Sequence, residues 1–169
     1  MKVEDAITRI RQETHDISKE YSDERCLQFL NTATQQVASL LIGAKWPVLV
    51  EETTMRDGDS IPKNYMSACG TYPLSMTAGT VHITDPDVTA IKFRYFATPA
   101  LIESTTEELP FNHDTINDII VKSAVLLALN ENEYDISQDT NIVNALQQAI
   151  STGTVSYTHL RAHETVLDL

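Results

Sequence analysis

Apolar residues open the chain at spacings of three and four. Val3, Ala6, Ile7 and Ile10 fall on one helical face, with Arg9, Arg11 and Glu13 elsewhere on the wheel. This predicts a helix over 3–15. A second helix, over 23–43, starts at Ser22 or Asp23, both good N-caps, and Asp23 and Glu24 suit the positive end of the helix dipole. Leu27, Leu30, Ala33, Val37, Leu40 and Leu41 form its stripe; Gly43 is the expected C-cap, and Pro47 cannot continue the helix. The period then changes from 3.6 to 2. Val48 to Thr54, Tyr72–Met76, Thr80–Thr84 and Thr89–Thr98 read as strands. The last is the clearest, because Ile91, Phe93, Tyr95 and Ala97 alternate with Lys92, Arg94 and Phe96. Arg56-Asp57-Gly58-Asp59, Ala78-Gly79 and Asp85-Pro86-Asp87 supply turns. The spacings suit adjacent antiparallel strands and leave no room for a crossover helix.

Helix returns after Pro110. Asn112 or Asp114 caps a third helix, over 113–129, whose stripe is Ile116, Ile119, Ile120, Ala124, Leu127 and Ala128. After the polar turn Asn130–Asp135, Ser137 or Asp139 caps a fourth helix, over 139–150, with Ile142, Val143, Leu146, Ala149 and Ile150 inside. Ser151-Thr152-Gly153 is expected to end it. The fold expected is therefore mainly α within the α+β class: a bundle of about four helices carrying an inserted antiparallel β module over 46–110, all in one domain closed at residue 153. Leu30, Val37, Ile120 and Leu127 lie on the most regular stripes and are expected in the core.

Composition changes this picture little. The 169 residues are 42% hydrophobic and 21% charged, an ordinary globular mixture with material for a real core. The longest apolar run, Ala38–Ala44 with Ser39 inside it, falls far short of the ~20 residues that span a bilayer. The start mixes acids and bases and lacks the apolar stretch of a secretory signal. Cys26 and Cys69 form no CxxC and no zinc pattern, and read as reduced thiols of a cytosolic product.

Charge is more informative. Twelve Lys and Arg against 24 Asp and Glu give a net −12. A protein that grips phosphates needs a large basic face, and this chain lacks the residues to build one. From Asn112 onward only Lys122 and Arg161 stand against eight acids. Such an excess serves solubility, or it makes a surface that repels something anionic.

The search for chemistry is mostly negative. There is no GxxxxGK[ST], GxGxxG, GxSxG or HExxH. Asp85-Pro86-Asp87 opens like a calcium loop but lacks the glycine and the closing glutamate, and reads as a turn. His15, His82 and His113 are separated and read as surface or capping residues. His159 and His163 stand at i, i+4, but no third ligand has the right spacing. Glu103, Glu107 and Glu108 read as a solvated loop, not an acid–base pair.

The order of elements, with its Trp-Pro, Ile-Pro and Leu-Pro punctuation, resembles the head–tail adaptor (head-completion, connector) proteins of tailed bacteriophages. The resemblance covers about residues 1–150. It is carried by Cys26-Leu27-Gln28-Phe29-Leu30-Asn31-Thr32-Ala33, by Ile61-Pro62-Lys63-Asn64-Tyr65, by Phe93-Arg94-Tyr95-Phe96-Ala97-Thr98-Pro99-Ala100-Leu101, and by Leu109-Pro110-Phe111-Asn112 leading into 120–129. It implies a structural virion protein without catalytic residues, metal or cofactor. Such a protein forms a ring beneath the portal protein and joins the head to the stopper or tail-completion protein. Packaged DNA would pass through it without specific binding. The family's terminal helices dock to the portal, which here singles out Ile142, Val143, Leu146 and Ile150. The acidic charge agrees with a channel to which DNA must not adhere. A non-enzymatic ligand-binding or regulatory module of a phage or bacterium, with a pocket in the β module, is the alternative. A hydrolase with an unrecognised site stays open, and a helix-turn-helix DNA reader is disfavoured by the charge.

Residues 154–169 differ in kind. Val155-Ser156-Tyr157-Thr158-His159-Leu160-Arg161-Ala162-His163-Glu164-Thr165 resembles the translation of sequencing-adapter sequence at a contig edge. On that reading the tail is not native and its two histidines form no site.

Overall fold

The computed structural model describes residues 1–16, 20–130 and 135–164, with side chains as far as residue 152. The chain divides into two compact units, one of Met1–Val37 with Leu101–Leu169, the other of Ala38–Ala100.

The first unit is helical. α1 (Val3–Glu13) buries Val3, Ala6, Ile7 and Ile10, the predicted face. No side chain caps its start. Backbone does so instead: the Val3 N–H donates to Glu107 O at 3.0 Å, and the Leu109 N–H, donating to Met1 O at 2.9 Å, holds the two segments side by side. α1 stops short of residue 15 because His15 turns into the left-handed region (φ 56°). α2 (Asp23–Gly43) begins in this unit. Of the two candidate caps Ser22 serves, its hydroxyl accepting from the Arg25 N–H at 3.2 Å. α3 (Asp114–Leu129) buries residues on every side, among them Ile116, Ile120, Val121, Ala124 and Val125. A helix apolar all round belongs in the middle of a unit, and α3 packs against α1 and against α4 (Thr140–Glu164). Asp139 caps α4, its carboxylate accepting from the N–H groups of Asn141 (2.8 Å) and Ile142 (3.2 Å).

α4 does not end at Ser151-Thr152-Gly153. Its backbone continues through Gly153 to Glu164. One interior glycine costs a helix only ~1 kcal/mol relative to alanine, too little to stop it without a partner for the freed carbonyls. The side chains of His159 and His163 lie outside the described residues.

The second unit holds the end of α2 and all five strands: β1 (Val50–Met55), β2 (Tyr65–Ala68), β3 (Leu74–Thr77), β4 (Thr80–Ile83) and β5 (Ile91–Ala97). β1, β5 and β2 form a three-stranded antiparallel sheet in that order, and β3 with β4 forms a hairpin. The adjacent-strand expectation therefore holds only for the hairpin. β5 is the longest and most buried strand, so it takes the centre, where both its edges are paired. β2 was not expected from the sequence. Val48, read as strand, sits in a 3-10 turn over Pro47–Leu49.

The expectation of a mainly α bundle with a β insert is overturned. Among the described residues the fold is a mixed α+β fold of four α-helices and five strands in two sheets, with no closed barrel. The strands make a core of Met55, Val81, Phe93, Tyr95 and Ala97, with Ile61, Tyr65, Tyr72, Leu74 and Met76 packed around it. Phe93 stacks on Tyr95 at 5.6 Å between centroids, and Tyr72 meets Phe93 edge-on at 4.9 Å. Leu30, Val37, Ile120 and Leu127 are fully buried, as their stripes predict.

Besides His15, two further turns hold a non-glycine residue in the left-handed region. Ala78 (φ 52°) and Gly79 (φ 81°) close the β3–β4 hairpin with positive φ at both positions, and only the second is a glycine. At the end of α2, Gly43 stays helical. Lys45 takes the left-handed position (φ 55°), with the Trp46 N–H donating to Leu41 O at 3.0 Å and the Lys45 N–H to Ile42 O at 2.9 Å. These two bonds define a Schellman motif with a lysine where glycine is usual.

Candidate functional site

The four α4 residues singled out for docking do not share one environment. Ile142 and Leu146 are buried, with 2% and 3% of their surface exposed, so they pack inside the helical unit. Val143 and Ile150 are half-buried. The open side of α4 is polar and holds Asn144, Gln147, Gln148, Ser151 and Thr152 around a shallow depression. Just before α4, Asp135 accepts from the Ser137 N–H and hydroxyl at 2.9 and 2.7 Å. These bonds hold its carboxyl below the usual carboxylate range.

The residues weighed for chemistry stay apart. His15 is exposed at the end of α1, and His113 is the N-cap residue of α3. His82 lies 4.0 Å from Asp57 on an exposed edge. Asp85 accepts from the Asp87 N–H at 3.1 Å, which makes Asp85-Pro86-Asp87 an Asx turn. Glu107 accepts from the Ser104 N–H at 2.9 Å and so closes its own loop. Among the described residues no group of three His, Cys, Asp or Glu side chains is placed to hold a metal.

Within the β unit a polar cluster joins buried Tyr95 to half-buried Asn64 and exposed Glu51. The Tyr95 hydroxyl donates to Glu51 Oε2 at 2.8 Å, and Asn64 Nδ2 donates to both Glu51 oxygens at 3.1 Å. Burial, and then the hydrogen bond and negative charge of Glu51, push the Tyr95 phenol upward. The cluster is satisfied by its own members and leaves no donor aimed at a ligand.

The other face of the same sheet is open. Lys45, Val50, Ala68, Cys69, Gly70, Arg94 and Phe96 line a hollow of about 500 Å³. Each arrives by a definite route. The left-handed turn after α2 presents Lys45. Strand alternation puts Arg94 and Phe96 on the face opposite Phe93 and Tyr95, and the register pairs Val50 with Phe96. Cys69 is held beside Arg94 because its N–H donates to Arg94 O at 3.0 Å. The thiol is exposed, and partial burial, only partly offset by Arg94, raises its pKa. It is therefore protonated near neutrality and is not an activated nucleophile.

Charge divides unevenly between the units. The β unit holds Lys45, Arg56, Lys63, Lys92 and Arg94 against Glu51, Glu52, Asp57, Asp59, Asp85 and Asp87, a net −1, so −11 of the −12 falls on the helical unit. In the helical unit Lys2 pairs with Glu4, Arg9 with Glu13 and Asp118, and Arg11 with Asp23. None of the five lysine and arginine side chains of the β unit makes an ion pair among the described residues.

The sequence showed Lys92 and Arg94 on the exposed side of a strand. The meeting of Arg94 with Lys45 and Cys69 had no local signal, because it depends on the helix-end turn and on β2 pairing with β5. Family models yield no match to this chain, and neither do curated protein sequences. Among the described residues no helix is long and apolar enough to cross a membrane.

Proposed function

We propose that this chain is a structural virion neck protein. It is an adaptor that assembles as a ring beneath the phage portal protein and links the DNA-filled head to the stopper or tail-completion protein. It would be made in the host cytoplasm and end in the virion neck, with no catalytic role and no cofactor. The resemblance over residues 1–150 suggests this reading, and the division of charge carries it. A subunit that places −11 on one unit and leaves the other near neutral can offer packaged DNA a repelling wall and still keep a second surface free for protein contacts. Docking to the portal by α4 would use Val143, Ile150 and the polar row from Asn144 to Thr152, since Ile142 and Leu146 face inward.

The test is retention of the full chain on resin bearing portal rings of the same phage. Retention above that on bare resin is expected; equal retention on both refutes the adaptor. Deleting residues 137–169 would not isolate docking, because it strips Ile142, Leu146 and Ala149 from the helical core. The hollow favours a second reading, a ligand-binding module, with Lys45 and Arg94 holding a small anion. Saturable anion binding, lost in Arg94→Gln and accompanied by no portal retention, would select it.

A further inference from the structure

The segment after β5 holds an exposed leucine in a fixed position. Leu101 is 61% exposed, Ile102 is 4% exposed, and Glu103 is exposed again. The middle residue is clamped. Asn31 of α2 donates from Nδ2 to Ile102 O at 2.9 Å and accepts the Ile102 N–H at Oδ1 at 2.8 Å, so one side-chain amide satisfies a whole peptide unit. Burial of Ile102 and this double bond leave Leu101 and Glu103 projecting as an apolar and an acidic group two residues apart. Glu103 has no ion pair among the described residues.

The hollow on the β unit has the complementary make-up. Val50, Ala68 and Phe96 supply apolar wall, while Lys45 and Arg94 supply cations without a carboxylate partner. At about 500 Å³ it has room for a leucine side chain and a carboxylate. We infer that the Leu101–Glu103 projection of one copy seats in the Lys45–Arg94 hollow of a second copy, Leu101 against the apolar wall and Glu103 between the two cations. The two patches differ, so the contact is heterologous. Head-to-tail repetition of such a contact closes into a ring where the rotation allows and otherwise runs on as a filament. The inference rests on the ring reading, but its test needs no portal. The clamp lowers the ordering cost of docking, since the projection is held before it meets its partner.

A disulfide trap between two chains of different size tests it. The first is the wild-type chain, with Cys69 at the hollow. The second carries Leu101→Cys with Cys69→Ser and a tag. Cys26 is buried in both and stays silent. Under oxidised glutathione the 69–101 heterodimer should form about tenfold faster than with a Leu129→Cys, Cys69→Ser control. Leu129, 57% exposed, is the matching leucine elsewhere on the helical unit. Arg94→Glu in the first chain should abolish the advantage, and Glu103→Arg in the second should restore part of it. Salt of about 1 M, where screening reaches ~3 Å, should weaken the wild-type advantage without any charge variant. Equal rates at 101 and 129, or an advantage indifferent to both Arg94→Glu and salt, overturns the contact. Portal retention of the wild-type chain is measured separately. If it persists while the trap fails, the contact falls and the adaptor stands; if it is absent while the trap succeeds, the adaptor falls and self-association stands.

Discussion

Replacing Asn31 tests how much one side-chain amide holds in the helical unit. Its Nδ2 and Oδ1 bond the C=O and N–H of Ile102 at 2.9 and 2.8 Å across 71 residues of chain. Asn31→Ala removes both bonds and strands two backbone groups on a residue only 4% exposed, where water enters poorly. A hydrogen bond contributes ~1 kcal/mol net, and a buried group left without a partner costs ~1–3 kcal/mol. Allowing for some relaxation, the loss should be ~2–4 kcal/mol out of a typical ~5–15 kcal/mol. With a urea slope of ~1–3 kcal/mol/M the midpoint should fall by ~1–2 M at unchanged slope. Asn31→Asp is the sharper variant. It keeps an acceptor for the Ile102 N–H but sets a carboxylate oxygen against the Ile102 carbonyl, so near pH 7 it should cost at least as much as alanine. Protonation supplies an O–H that can donate to that carbonyl, which places the folded-state pKa of the new carboxyl above the ordinary aspartate value, so its deficit should shrink as pH falls from neutrality toward ~4 and change no further below it. A loss below ~0.5 kcal/mol for Asn31→Ala would refute the reasoning, because the clamp would then be replaced by water at no cost.

Leu30→Ala and Leu127→Ala, each at a fully buried site, should cost ~2–5 kcal/mol in a denaturant melt; a change below ~0.5 kcal/mol would contradict their burial. Lys45→Gly and Ala78→Gly, which relieve left-handed φ values of 55° and 52°, should each stabilise by ~0.5–1 kcal/mol, read as a raised thermal midpoint. Tyr95→Phe should cost ~1 kcal/mol near pH 7 through the lost bond to Glu51. The folded-state phenol lies above its ordinary value, so its contribution is present below pH ~10 and lost as pH rises through the folded pKa. The gap between wild type and Tyr95→Phe, followed by urea melts, should therefore narrow above pH ~10.

The periodic parts of the chain determined their own structure. The stripe from Leu27 to Leu41 and that from Ile116 to Ala128 became α2 and α3 because 3.6-residue spacing leaves one way to bury those side chains. The alternation from Ile91 to Ala97 became β5, and Ala78-Gly79 became the hairpin turn, for equally local reasons. Strand order was a tertiary decision. Nothing near Tyr65–Ala68 marks a strand, and it became one because the second edge of β5 was open to it. The expected mainly α bundle failed because β2 added a third strand to β1 and β5 while β3 and β4 closed a second sheet, so strands make up a larger share of the chain than the local periods showed. Burial also sorted α4: Ile142 and Leu146 look like Val143 and Ile150 in sequence, but only packing against α3 decided which pair turned inward. The Asn31 clamp and the Lys45–Arg94 hollow join residues 71 and 49 positions apart. Such pairings follow from where the folded backbone brings side chains together, which no local period encodes.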